Sequence, residues 1–379
     1  MSLFNFDSLK KAFGKKEGSF VGIDMGSSSL KVVQLKRQKG VAILETYGEL
    51  SLGPYANIEV GRATDLSSAQ LSEALVNLMK ESNVTTKECG VSIPLKSSLV
   101  FNMELPTMDP KQLQQMIPIE ARKYIPVPIS EVELDWKVIP KDETAVTSFM
   151  GEDNLSTTKR DETPKTEVLV AAIHRDTVIR QKEIIAGAGL NLSFFEVEIF
   201  STIRTATTQN ILNFAVLDMG SGATKLYIIE KGMIKDSHMI GRGSQDITLN
   251  IARATGISVN DAEQQKIKVG VVGTTDSEKE VSGVVYSSME YIFNEASKAI
   301  LAYQKKYNKN IDKLVITGGG SIINGMLDFA KSHTEMEVEI SNPFSKVEAP
   351  AFLDPLLKQV GPGFAVALGL ALRGLREME

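Results

Sequence analysis

The chain has 379 residues, of which 42% are hydrophobic and 23% charged, and its formal net charge is −5. That length suits roughly two domains, the composition supports a packed core, and an acidic balance with no basic block excludes a nucleic-acid partner. One cysteine, Cys89, and three scattered histidines, His174, His238 and His333, exclude a disulfide framework and a cysteine- or histidine-based metal site. A reducing, cytoplasmic location follows from that cysteine usage.

The first 18 residues, MSLFNFDSLKKAFGKKEG, have no apolar core and no cleavage site, so they are not a signal peptide. Phe6, Leu9 and Phe13 fall at helical spacing beside Lys10, Lys11, Lys15 and Lys16. This suits a weak interfacial helix on anionic lipid, or equally a frayed or partner-docked helix. Next, Phe20 to Val33 reads as a β-hairpin: an apolar strand ends at Asp24, a Gly/Ser turn follows, and an apolar strand returns. Leu71 to Met79 carries apolar residues at helical spacing.

From about 90 to 175 the pattern suggests a small α+β insert. Its expected strands are Val91–Pro94, Leu99–Met103, Glu133–Ile139 and Val168–Ile173, with a helix over Pro110–Tyr124. Pro140–Lys165, polar and poor in aliphatics, is expected as a loop. Val178–Ala188 reads as a helix. At Phe214 the opening pattern returns: Phe, Asp, Met, Gly, Ser and Lys recur in the same register through Tyr227. Two such hairpins, each heading a mixed segment, imply two similar α/β halves. Met289–Tyr303 follows as a helix, and the strand Leu314–Thr317 runs into Gly318-Gly319-Gly320-Ser321. Phe364–Leu375 is an apolar helix, and no apolar run reaches the ~18–20 residues needed to cross a bilayer.

A nucleoside triphosphate needs close backbone N–H donors, hydroxyls, a cation and carboxylates for hydrated magnesium. The two hairpin turns offer these. Gly26, Gly220 and Gly222 open the backbone, while Ser27, Ser28, Ser29, Ser221 and Thr224 add hydroxyls. Lys31 is within reach of the β- and γ-phosphates, and Asp24 and Asp218 are placed to hold Mg²⁺ through water. Gly318, Gly319, Gly320 and Ser321 end a strand and open a helix, which allows flat approach to an adenosine and its α-phosphate. That run lacks the G-x-G-x-x-G spacing of a dinucleotide site, so ATP is the expected cofactor.

The hairpins resemble the two phosphate motifs of the actin, hexokinase and heat-shock-chaperone ATPase superfamily, and Val315–Gly320 resembles its adenosine motif. Gly361–Gly369 and Glu196–Ser201 resemble its connecting helices. The run Ile117–Pro128 followed by Glu133–Trp136 resembles the PilM family, in the FtsA-like branch, and the chain ends without the amphipathic tail of FtsA.

The resemblance implies an actin-like two-domain α/β ATPase fold of duplicated mixed-sheet halves, with an SHS2-like α+β insert in the first half. The expected divisions are a helical tail at 1–18, half I at 19–89 with 176–212 and 353–379, the insert at 90–175, and half II at 213–352 with a small subdomain at 248–299. It implies nucleotide contacts from Glu263 and Lys266, whose alternative is a solvated helix face, and a water-orienting role for Glu198, whose alternative is a surface or salt-bridged carboxylate. It implies an ATP-binding adaptor of the type IV pilus platform, peripheral at the inner face of the cytoplasmic membrane, with at most slow hydrolysis. Its partners would be the N-terminal peptide of the inner-membrane protein PilN, held in a groove between half I and the insert, and other platform proteins. A polymerising FtsA-like protein and an acetate- or sugar-kinase-type enzyme are the alternatives.

Overall fold

The computed structural model describes residues 18–139, 165–206 and 213–378. The expected tail helix before Gly18 and the expected loop over 140–164 lie outside the described residues. In chain order the chain first forms β1 (Ser19–Met25), β2 (Ser29–Gln38), β3 (Val41–Ser51), α1 (Ser68–Glu81) and β4 (Glu88–Ile93). There follow β5 (Ser98–Pro106), α2 (Pro110–Ala121), β6 (Val132–Val138), β7 (Lys165–His174), α3 (Arg175–Gly187), β8 (Asn191–Val197) and α4 (Glu198–Ala206). The second half brings β9 (Asn213–Met219), β10 (Thr224–Glu230), β11 (Met233–Ile240), α5 (Ser244–Thr255), α6 (Val259–Val269) and α7 (Asp276–Tyr307). It closes with β12 (Lys313–Thr317), α8 (Met326–Ser332), β13 (Glu337–Ile340), α9 (Asp354–Val360) and α10 (Ala365–Glu377).

Local chemistry sets the helix starts. Ser67, Asp109 and Thr275 accept N–H groups that the first turns of α1, α2 and α7 leave unpaired, and Gln70, Gln112 and Glu278 bond back to complete capping boxes. Pro118 inside α2 removes one helical hydrogen bond, and that helix ends at Ala121.

The described residues divide into two compact units, one of which contains 96–139 and 165–178 and the other 18–95, 179–206 and 213–378. The smaller unit is the sheet β5-β7-β6, antiparallel throughout, with α2 packed on it through Leu113, Ile117 and Ala121. It starts later than the expected 90: β4 joins the main sheet, parallel to β1 and β8. Sequence pattern identifies a strand but not the sheet it enters.

The larger unit holds two five-stranded sheets of matching order, β3-β2-β1-β4-β8 and β11-β10-β9-β12-β13. In each, three antiparallel strands are followed by two parallel ones. The duplication seen in the hairpins therefore extends across each whole sheet. Helices α5, α6 and α7 share one core with the second sheet through Ile247, Ile251, Ala262, Val285 and Phe293, and α7 runs beyond the 299 expected for a separate subdomain.

The first core contains Phe20, Val33, Phe194 and the apolar face of α10. Helix α10 lies against β1 and α4 at close range: a Cβ on Gly22 would fall 2.0 Å from Ala367 O, and one on Gly369 would fall 2.3 Å from Ser201 O. The helical stretch Ala351–Glu377 is long and apolar enough by composition to cross a membrane, contrary to the sequence reading. Its apolar window is 61% buried against its own chain, as in the core helix of a folded domain.

Candidate functional site

The antiparallel register sets Asp24 opposite Lys31 in the first hairpin and Asp218 opposite Lys225 in the second. Directly opposed residues share a face of the sheet, so each turn carries a carboxylate and an ammonium on one side. The two turns approach each other: a Cβ on Gly222 would lie 3.4 Å from Ser27 Oγ. Two bonds tie the halves beside them, Ser221 Oγ donating to Gly61 O at 3.1 Å and Ala63 N donating to Gln245 Oε1 at 2.8 Å.

The third glycine turn closes over the second hairpin. Thr317 pairs with Asp218, and Gly318 adopts φ +85°, a backbone region that side chains rarely enter. A Cβ there would sit 2.5 Å from Asp218 Oδ1. Gly319 is exposed, and a Cβ on Gly363 would lie 3.6 Å from both the Gly319 Cα and Lys31 Cε. Gly26, Ser27, Ser28, Gly220, Ser221, Gly222, Gly318 and Gly319 thus gather around the two carboxylates.

Other expected hydroxyls turn elsewhere. Thr224 is buried and donates to Arg242 O at 2.8 Å, Ser321 donates to Gly318 O at 2.7 Å, and Ser29 accepts from Lys31 Nζ at 2.7 Å. Ser321 holds the Gly318–Gly320 turn in shape.

Between the hairpins lies a buried charge cluster. Ser92 Oγ donates to Asp24 Oδ1 at 2.8 Å, and burial raises the Asp24 pKa to about 6 against the opposing field of Lys31. Burial also raises that of Asp218, opposed by Lys225, and its Oδ2 accepts no hydrogen bond. Glu198 is buried, not on the surface. Its Oε1 accepts from Leu95 N at 2.6 Å and its Oε2 from Lys225 Nζ at 2.7 Å. Burial disfavours the charged form of Lys225, but Glu198 and Asp218 outweigh it and hold the ammonium protonated. Tyr227 lies fully buried near the same three carboxylates, and burial followed by the Glu198 charge pushes its phenol well up.

Glu263 and Lys266 do not form a solvated face. Lys266 is 3% exposed, and its ammonium donates to Glu263 at 2.7 and 2.8 Å, to Thr248 Oγ1 at 3.0 Å and to Ser244 O at 3.3 Å. Burial pulls its pKa down, with Glu263 opposing. Ser244 connects this pair to the turns, for its N–H donates to Gly220 O at 2.9 Å, and a Cβ on Gly320 would meet its Cβ at 3.2 Å.

The sequence reading passed over Lys225, Ser92, Ser244 and Gln245. Lys225 was visible in the repeat as the counterpart of Lys31. The others carried no local signal, because their partners are distant in the chain. Cys89, on β4, is buried, and burial pushes its thiol up to about 12, so it stays unreactive.

Mg²⁺ keeps several waters and needs few direct ligands, and Asp218 Oδ2, which accepts no hydrogen bond, with the carboxylate of Asp24 fits a hydrated ion. No group of three or more His, Cys, Asp or Glu among the described residues is arranged to hold a metal directly.

The cell division protein FtsA of Borreliella burgdorferi is 27% identical over 178 residues, covering 41% of this chain and 41% of that protein. A structure of a PilM–PilN type IV pilus biogenesis complex superposes with a TM-score of 0.77 at 23% identity, over 95% of this chain and 99% of that one. MreB5 of Spiroplasma citri bound to AMPPNP gives a TM-score of 0.50 at 13% identity, over 93% of this chain and 95% of that one. These likenesses show an actin-like ATPase fold. The family model of the type IV pilus assembly protein PilM matches residues 22–375, and the chain belongs to that family.

Proposed function

We propose that the chain is a cytoplasmic ATP-binding adaptor of the type IV pilus assembly platform at the inner membrane, and that it captures the N-terminal tail of PilN. The observation that carries the nucleotide half of this reading is the pair of facing hairpin turns, with Gly318 closing over Asp218 Oδ1 while Asp218 Oδ2 accepts no hydrogen bond. Backbone N–H groups at Gly26–Ser28 and Ser221–Gly222 would hold the phosphates, while that of Gly220 donates to Ala223 O and shapes the turn. The Gly318–Gly320 turn would face the adenosine, Glu263 and Lys266 would flank the ribose and base, and Asp24 and Asp218 would meet hydrated magnesium. The AMPPNP carried by MreB5 in the same fold supports this reading.

Slow or absent hydrolysis is the companion expectation. Glu198 is held by Leu95 N and Lys225 Nζ, and this pairing lowers its strength as a base toward an attacking water. Family membership and the PilM–PilN complex support the partner. Extended-peptide capture uses pockets for alternate side chains, so the tail should be recognised by sequence.

The test is a fluorescence-anisotropy titration of a PilN N-terminal peptide into the full chain, with and without Mg-ATP. Binding at about micromolar affinity that a scrambled peptide lacks is the expected result. A nucleotide effect on that affinity would measure the coupling between the sites. No binding in either condition overturns the adaptor reading and favours an FtsA-like polymer, which would show as filaments on lipid with ATP.

A further inference from the structure

Lys225 has no role in the nucleotide site as described so far, yet it occupies its centre. Its side chain is 16% exposed, and its ammonium lies 2.7 Å from Glu198 Oε2 and 3.6 Å from Asp218 Oδ2. Asp24 also acts on it through space. A Cβ on Gly220 would lie 3.9 Å from Nζ, so the ammonium sits directly beneath the second hairpin turn. An ammonium carries three donors, and among the described residues Lys225 gives one to Glu198 and directs a second toward Asp218. One donor therefore remains for an anion resting on that turn.

The carboxylates Asp24, Asp218 and Glu198 would repel a triphosphate, and a divalent cation is the usual remedy. Here a fixed positive charge already stands among them. On the first hairpin Lys31 is shared with Glu49, at 2.9 Å, and Ser29, so the two lysines are not equivalent.

Resting on the nucleotide reading above, we infer that Lys225 is the resident cation of the phosphate site: it neutralises the acidic cluster and contacts a terminal phosphate oxygen, so that ATP is held with little dependence on Mg²⁺. The ammonium serves as a positioning and charge-matching group, and no bond is made or broken.

Calorimetric titration of ATP into the full chain, with Mg²⁺ and then with EDTA in its place, is the test. The wild-type affinity should change by less than about fivefold between the two media. Lys225→Met, checked for an unchanged fold by circular dichroism, should lose roughly 10- to 100-fold in EDTA, the value of one charge-assisted hydrogen bond, and should recover part of this with Mg²⁺. Tight binding with Mg²⁺ that falls more than about a hundredfold in EDTA overturns the inference and leaves the ATP reading standing. A Lys225→Met protein that binds as tightly as wild type in EDTA overturns it too. No ATP binding in either medium overturns the nucleotide reading and this inference together.

Discussion

The two hairpins share their sequence pattern and their register, yet they end in different electrostatic states. In each, a lysine stands opposite the strand-ending aspartate. Lys31 reaches sideways along its own sheet to Glu49 on β3, whose side chain is 48% exposed. Lys225 meets Glu198, brought by α4 from the other half and only 10% exposed. The aspartates diverge in the same way. Asp24 is hydrogen-bonded by Ser92, on the parallel strand β4. The matching hydroxyl beside Asp218 is that of Thr317, which donates instead to Pro362 O at 3.2 Å and accepts from Ser341 Oγ at 2.7 Å. One copy of the motif is satisfied within its half, and the other draws its counter-ion from the opposite half and keeps an Asp218 oxygen without a hydrogen bond. Duplication supplied the parts, and the neighbouring elements assigned the roles.

Removing each lysine's partner tests this asymmetry most directly. Glu198→Ala strands a buried ammonium and should cost about 3 kcal/mol in urea unfolding. Glu49→Ala breaks a half-exposed pair and should cost under about 1 kcal/mol. Equal costs would mean that the two hairpins are electrostatically alike.

Gly318 is the next place to press. Its counterpart at the end of the matching strand β4 is Ile93, an ordinary buried strand residue. Gly318→Ala combines a φ of +85° with a Cβ 2.5 Å from Asp218 Oδ1, and should cost about 2 kcal/mol of stability and weaken ATP binding. A neutral alanine would show that the turn can relax away from Asp218.

The smallest effect concerns pH and the first aspartate. Asp24 titrates at about 6 in the folded chain against 3.8 when unperturbed, so the folded state binds more protons between those values. Its contribution is therefore full below the unperturbed value and is lost as pH rises through 6. Between pH 5 and 7 the ligand-free protein should lose about 1 kcal/mol from this group, and Asp24→Asn should remove that slope. Melting curves across that range check it, and an unchanged slope in the variant would place the titration elsewhere.

A second buried charge group shows how far such clusters depend on distant chain segments. Glu196 on β8 takes both Arg204 nitrogens at 2.8 Å and Arg373 at 2.9 Å. Burial works against the charged carboxylate, but the arginines prevail and keep its pKa below the usual range. The arginines come from α4 and α10, so this network holds three elements of one half together. No local sequence pattern announced it.

Short apolar runs on either side of a turn of small polar side chains were enough to read β1–β2 and β9–β10, because both signals act between near neighbours. The repeat of Asp, Gly, Ser and Lys likewise made the duplicated halves and the glycine turns legible from the amino-acid order alone. The placement of β4 in the main sheet was not legible, since hydrogen-bonding partners are chosen by packing rather than by a strand's own composition. Nor were the burial of Lys266, the capture of Glu198 by Lys225, or the different neighbours of Asp24 and Asp218. A side chain's charge is written in the chain, but its solvent and its counter-ion are set by whichever distant segment folds against it.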